Sequence, residues 1–359
     1  MRIDRVEASA FRIPLEAPES DGTFAWESTT VVVAQVEVGG VTGVGFTFGP
    51  KACATLIDEL LRPALLDREA DVASCWEAMV RAIRNVGRPG VASMGIAAVD
   101  AALWDLKGKS LNLPVCQILG MVRESVPIYG SGGFTSYSVD QLTEELTAWV
   151  DDGFDRVKMK IGTDSGADPE GDIERVTQAR KAIGHEAELM VDANGGYTRK
   201  QGIKLCAQLS DLGVTWFEEP VSSDDLEGLK QIRDATDIEI AAGEYGYDLT
   251  YLAHMASFVD VLQVDASRCA GITEFMRAAA VAAANNLQVS THTAQSLHVH
   301  PACSIPNLKH VEYFADHEVA DRFLFDGVID PKDGSLSPDL TRPGLGLELK
   351  GEDAEKFRV

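Results

Sequence analysis

A TIM-like (β/α)7β barrel of the α/β class beneath an α+β N-terminal capping domain is the fold this sequence predicts, on three observations. Asp192, Glu218 and Glu244 each close a short apolar run, and they follow one another at intervals of 26 residues. From Ser125 onward strand-like and helix-like segments alternate without a break, whereas before it β-like runs come first and helical ones follow. The interval is the pitch of a strand–helix unit, and in a closed barrel the C-termini of successive strands converge on one mouth.

The N-terminal unit, residues 1–124, opens with an extended run at 3–15. Runs 30–38 and 41–48 flank Gly39-Gly40, a two-residue hairpin turn signal. Between them 20–28 reads as a polar loop carrying Phe24 and Trp26. Helical periodicity follows at 52–66, 71–85 and 92–108. No acid–base residues cluster in this unit, so it reads as a cap.

In the catalytic unit, 125–320, eight strand-like runs stand at 126–129, 156–161, 188–192, 215–218, 238–242, 260–264, 288–291 and 310–313. The helices between them carry start signals: Ser138 with Gln141 and Thr198 with Gln201 are capping boxes, and Asp168-Pro169 is an N-cap before a proline at the first helical position. The last segment, 321–359, is loop-rich around Pro331, Pro338 and Pro343. One more strand is expected at 345–349, with the segment packing back on the cap.

Composition narrows the partners. With 32 Lys and Arg against 56 Asp and Glu, the formal charge is −24, which disfavours nucleic acid and anionic membrane surfaces. A small anion gathered by local cations is compatible with it. The six cysteines, Cys53, Cys75, Cys116, Cys206, Cys269 and Cys303, form no C-x-x-C pair and read as reduced thiols in a cytoplasmic protein. The N-terminus has no apolar signal core, and no run reaches a membrane-spanning length.

The acids offer only oxygen, which suits Mg²⁺, with Mn²⁺ also fitting. Lys158 and Lys160 are two residues apart on the second barrel strand, so both face the barrel interior while Met159 turns outward. Two lysines sharing a confined space with a dication should depress the pKa of at least one, which can then act as a base. Asp265 ends the sixth strand and His292 the seventh, so the carboxylate can fix the imidazole tautomer and leave the other nitrogen free to move a proton. Glu312, near the end of the eighth strand, can hydrogen-bond a substrate oxygen if it stays protonated. His298-Val-His300 has an i, i+2 spacing in an expected helix, where metal pairs are usually i, i+3 or i+4, so it is not expected to be a ligand pair. His185, His254, His310 and His317 read as surface or supporting residues.

Lys158-Met-Lys160, Asp192-Ala-Asn194, Glu218-Glu-Pro220, Gly243-Glu244, Asp265 with Gly271-Ile-Thr-Glu274, His292 and Glu312 together resemble the enolase superfamily, and within it the mandelate racemase-like group. The resemblance covers essentially the whole chain. It implies one Mg²⁺ and removal of the proton next to a substrate carboxylate. It implies that Lys158 meets that carboxylate, that Lys160 and the Asp265-paired His292 are acid–base catalysts on opposite faces, that Glu312 stabilises the enolate, and that Asn194 contacts a substrate hydroxyl. A lysine where Asp265 stands, or an asparagine where Glu244 stands, would mark muconate-lactonizing or glucarate dehydratase-like relatives, and neither is present. Val264 and Cys269-Ala270 depart from the proline and glycines frequent there, which bears on loop shape.

The function expected is dehydration of a sugar acid to a 2-keto-3-deoxy acid. Racemisation or epimerisation of a 2-hydroxyacid needs the same two opposed groups and stays open, with a non-catalytic homologue as a third reading. Phe24 and Trp26 either face an aromatic substrate or belong to the cap core. A homo-oligomer is expected.

Overall fold

The computed structural model describes residues 1–359. β1 (Arg5–Ser20), β2 (Ala25–Val38) and β3 (Val41–Phe48) form an antiparallel sheet in that order. Gly39 and Gly40 both have positive φ, as a two-residue turn with this twist requires. The polar loop expected at 20–28 is a correction: β1 and β2 continue past a register shift between Pro14 and Glu19 to pair Ser20 with Ala25, leaving only 21–24 as the turn. Ladder hydrogen bonds, which composition does not register, carry this ribbon out beyond the apolar run.

Alternation along the sheet buries both faces. Phe11, Ile13, Val31, Val33 and Phe46 join the core shared with the barrel, while Val6, Val32, Ala34 and Val36 join the core of the cap helices. The cap helix Val91–Leu111 lies so close on β3 that a Cβ at Gly43 would stand 2.1 Å from the Ala102 carbonyl oxygen. Glycine is what permits that approach.

β4 (Val126–Gly132), β5 (Arg156–Lys160), β6 (Glu188–Asp192), β7 (Val214–Glu218), β8 (Glu239–Ala242), β9 (Val261–Val264), β10 (Gln288–Thr291) and β11 (Leu308–Phe314) pair in parallel, each with the next. β11 pairs with β4 and closes the barrel. Their runs are short and apolar because helices cover the outer face and side chains fill the inside. Both expected capping boxes form, and Asp168 accepts the Gly171 N–H. Beyond the barrel β12 (Phe325–Asp326) pairs with β14 (Glu348–Leu349), and β13 (Ser335–Leu336) pairs with the start of β4. The Leu345 N–H donates to Asp105 of the long cap helix at 2.7 Å, and Val359 N–H donates to Ala10 of β1 at 3.0 Å. The six cysteines are free and buried, and no helix is long and apolar enough to cross a membrane.

Asp321, in helix Ala315–Leu324, is fully buried with no well-formed hydrogen bond at either carboxylate oxygen. Burial pushes its pKa up to about 7, and the nearby Ser296 hydroxyl offsets only part of that. A carboxyl whose folded pKa exceeds its unfolded value stabilises the fold below about pH 4, and that contribution is lost as pH rises through 7. Asp321→Asn should therefore gain stability relative to the wild type between pH 4 and pH 8, by roughly 3 to 4 kcal/mol at most. Urea unfolding at the two pH values measures it, and an unchanged difference between the proteins would count against a buried ionising carboxyl.

Candidate active site

Register sets the level of the charged groups. In the barrel ladder Lys160 pairs with Asp192 and Asp192 with Glu218, so three strand ends deliver their side chains at one height. The alternation of β5 turns Lys158 and Lys160 inward and Met159 into the core between barrel and helices. Glu244 follows Gly243, whose φ is +137° and whose Cβ would stand 2.1 Å from the Gln263 carbonyl oxygen. Only glycine lets the chain bend inward there. Asn194, Glu219, Thr293 and Ala294 also have positive φ, so several turns after the strands are held in conformations that non-glycine residues avoid.

These constraints bring Asp192, Glu218 and Glu244 together, each buried, with one carboxylate oxygen apiece within 4.8 Å of the others. An octahedral Mg²⁺ with ligands at about 2.1 Å spaces its oxygens about 3 to 4.2 Å apart, so small side-chain adjustments suffice. The donor set is three carboxyl groups offering only oxygen, and it fits that ion. Glu218 is further held by the Trp216 indole N–H at 3.1 Å and the Gln263 amide at 3.0 Å. Burial and the Asp192 charge raise the Glu218 pKa to about 8. Glu219, buried beside Glu244, is raised well above the ordinary value, by burial first and by that neighbour second.

Lys158 Nζ lies 2.6 Å from Glu218, 2.8 Å from Glu312 and 3.6 Å from Asp192, and Lys160 Nζ lies 2.5 Å from Asp192. The expected depressed lysine is not what these side chains produce. Burial alone would lower both ammonium groups, but the carboxylates around them more than offset it and hold both above the ordinary lysine value. The expectation counted a dication's charge, which the chain's own groups do not contain. The donor role open to Glu312 depends on its staying protonated, and its neighbours oppose that condition. Glu312 accepts the Lys158 ammonium at 2.8 Å and the Thr293 N–H at 2.6 Å, and despite burial the nearby Lys158, His292 and Lys160 charges hold it well below the usual carboxylate range.

On the other side of the mouth, His292 Nδ1 donates to Asp265 Oδ2 at 2.8 Å and Nε2 lies 3.2 Å from Glu244. Burial opposes charge on both partners, yet Asp265 stays far below its ordinary pKa and His292 above its own, each held by the acids or imidazoles around it. Arg268 completes this edge, 3.4 Å from Glu244 and 3.6 Å from Asp265. Asn194 sits on the turn after β6 with a buried, unpartnered Oδ1. Above it, the tip of the β1–β2 ribbon is tied to the barrel loops through Thr135 N–H to Ser20 and Ser165 N–H to Gly22, both 2.8 Å. Trp26 donates its indole N–H to Asp316 at 3.1 Å and meets Phe134 edge-on, while Phe24 is 69% exposed.

Sequence reasoning missed Trp216, Gln263, Arg268 and His298. Trp216 and Gln263 lie two residues before Glu218 and Asp265, so the period-two rule already turned them inward. His298 and His300 do lie in a helix, Gln295–Ala302, and serve different partners. His298 meets Ala266 and Thr293, whereas His300 meets Cys116 and Leu345. His185 and His254 are exposed. His310 is buried inside the barrel on Ser290, and His317 is buried and stacked on Phe48, so neither is a surface residue.

Residues 141–354 match the family profile described as enolase C-terminal domain-like, and residues 9–120 match the mandelate racemase / muconate lactonizing enzyme N-terminal domain. The chain belongs to the mandelate racemase-like group of the enolase superfamily and is an enzyme. Its structure is similar to a mandelate racemase/muconate lactonizing enzyme-like protein of Rubrobacter xylanophilus, with TM-score 0.97, 45% identity and 100% of both chains covered. The 3,6-anhydro-alpha-L-galactonate cycloisomerase of Streptomyces coelicolor is 33% identical over 99% of each chain. L-talarate dehydratase of Polaromonas sp. JS666, solved with Mg and L-glucarate, has TM-score 0.90 and 32% identity over 100% of this chain and 97% of that one. Relatives that bind magnesium and a donor set that fits it make Mg²⁺ the cofactor of this fold. Other relatives are named dehydratases, cycloisomerases and an epimerase.

Proposed function

We propose that the protein dehydrates a sugar acid to a 2-keto-3-deoxy acid. The observation that carries this reading is the placement of Lys160 on β5 and the Asp265–His292 pair on β9 and β10, on either side of the buried acids of β6, β7 and β8. Asp192, Glu218 and Glu244 would hold Mg²⁺, which when bound would supply fixed positive charge beside the substrate carboxylate and lower the proton affinity of the adjacent lysine. Lys158 meets the substrate carboxylate. Lys160 Nζ takes the α-proton, the electron pair forms the C2–C3 double bond, and the C3–oxygen bond breaks. His292 Nε2 delivers its proton to the departing hydroxyl, which leaves as water, and the enol becomes the keto acid. Asp265 keeps His292 Nε2, the proton donor in this step, aimed at the site by occupying Nδ1. Glu312 steadies Lys158, and Asn194 offers its free amide oxygen to a substrate hydroxyl.

Sugar-acid dehydratases recur among the relatives, and a polar, acid-rich mouth suits a polyhydroxy substrate. Racemisation at C2 uses the same two groups, with His292 protonating carbon in place of oxygen. Incubation with Mg²⁺ and a panel of sugar acids in D₂O distinguishes them. Keto-acid formation is expected. Solvent deuterium at C2 without loss of water would replace this reading by racemisation, and an isomer formed without water loss would replace it by cycloisomerisation.

A further inference from the structure

We infer that His298 is a positioning residue, a neutral imidazole in the Nδ1–H form that clamps the turn carrying Asp265 to the turn carrying His292. The inference rests on the acid–base role proposed for His292. His298 has no exposed surface. Its Nε2 receives the Ala266 N–H at 2.8 Å, and its Nδ1 faces the Thr293 carbonyl oxygen at 2.8 Å. A peptide N–H only donates and a peptide carbonyl only accepts, so both contacts are satisfied by one tautomer alone: lone pair on Nε2, proton on Nδ1. Protonation of Nε2 would force two donors against each other.

The two peptide groups it holds are next to the two members of the dyad. Ala266 lies between Asp265 and Ser267, whose N–H donates to Asp265 Oδ1 at 2.7 Å, so the clamp acts on a turn that already fixes that carboxylate. Thr293 follows His292 and has φ +43°, with Ala294 at +45°, two successive non-glycine residues in the left-handed region. Such a turn persists only where its surroundings hold it. Glu312 holds the Thr293 N–H, and His298 holds its carbonyl. Asp265 holds Nδ1 of His292 at 2.8 Å and the Thr293 hydroxyl meets the same nitrogen at 3.3 Å, so the ring's aim depends on where both turns stand, and proton transfer needs Nε2 within about 0.5 Å of its productive position. Tying both turns to one rigid ring keeps those two contacts in step. Phe275 packs against the ring and keeps it from rotating away.

The test uses the full chain labelled with ¹⁵N-histidine. Long-range ¹H–¹⁵N spectra should show His298 with protonated Nδ1 and pyridine-like Nε2 at neutral pH, and His292 as one ordered form. In His298→Leu, which makes neither hydrogen bond, the His292 signals should broaden or divide, kcat should fall 10- to 100-fold, and KM and Mg²⁺ affinity by calorimetry should change less than threefold. His298→Gln, whose amide both donates and accepts, should recover most of kcat. If the leucine variant does not fold, His298→Asn carries the comparison, being too short to reach both peptides. An Nε2–H or doubly protonated His298, or unchanged His292 signals in the variants, would overturn the inference. So would loss of kcat and Mg²⁺ affinity in equal proportion with no recovery in the glutamine variant. A wild type inert toward every sugar acid but showing the expected spectra would instead sink the dehydratase reading and leave the clamp standing.

Discussion

Lys160→Ala is expected to lower turnover by about 10² to 10⁴-fold, the usual contribution of a positioned acid or base, while Mg²⁺ still binds. Lys160 is the ammonium nearest the mouth at the end of β5, and its only close carboxylate is Asp192, at 2.5 Å. Lys158 sits deeper, shared among Glu218, Glu312 and Asp192, and is committed to holding charge. Removing Lys160 takes away the one amine that can lose its proton without stranding two buried acids. Three carboxylates remain for the cation, so calorimetry should record Mg²⁺ affinity within about tenfold of the wild type, an order of magnitude set by the loss of one outer contact. Exchange of the substrate α-proton with D₂O should vanish together with turnover. A variant that turns over normally would show that another group removes the proton.

Chelation of Mg²⁺ is expected to abolish turnover, and Glu218→Gln to weaken Mg²⁺ binding by more than about 100-fold. Loss of an outer-sphere partner alone typically costs 10- to 100-fold, and glutamine removes one of only three anionic ligands. Glu218 is the central one in the ladder, flanked by Asp192 in register and reached by Trp216 and Gln263. The same ion should raise thermal stability, because it binds the folded site and not the dispersed acids of the unfolded chain. At 100 times its dissociation constant the gain is about 2.7 kcal/mol, readable as a melting shift of a few degrees. Glu218→Gln should shrink that shift. Undiminished turnover after exhaustive chelation, with the metal content measured, would remove the cation from the chemistry.

Most of the barrel was legible before any coordinate. Two strand ranges, Glu188–Asp192 and Gln288–Thr291, coincide with the expected ones, and the others differ by a few residues at their ends. Apolar runs flanked by capping boxes are local signals, and local signals survive in the linear chain. The tip of the β1–β2 ribbon was less legible. The ties from Thr135, Ser165 and Asp316 reach it from more than a hundred residues away, and the polar composition of 20–28 registers neither them nor the ladder bonds that pair Ser20 with Ala25. Trp26 turns out to be fastened to the rim by Asp316 and Phe134, while Phe24 stacks on it and faces outward.

By itself the sequence determined which residues could meet: acids at strand ends with a common pitch, two lysines on one face of β5, and an aspartate and histidine closing neighbouring strands. Periodicity decides orientation, and orientation along a strand is a property of the backbone that each residue carries with it. The tertiary structure alone decided what those residues are once assembled. The acids around Lys158 and Lys160 favour their charged forms against burial until a cation shares the site, Lys158 favours the ionised form of Glu312, and His298 reaches the turns of the dyad rather than the three acids. Each of these depends on through-space distances of a few ångströms in a buried, weakly screened interior, and such distances exist only after the chain has closed on itself.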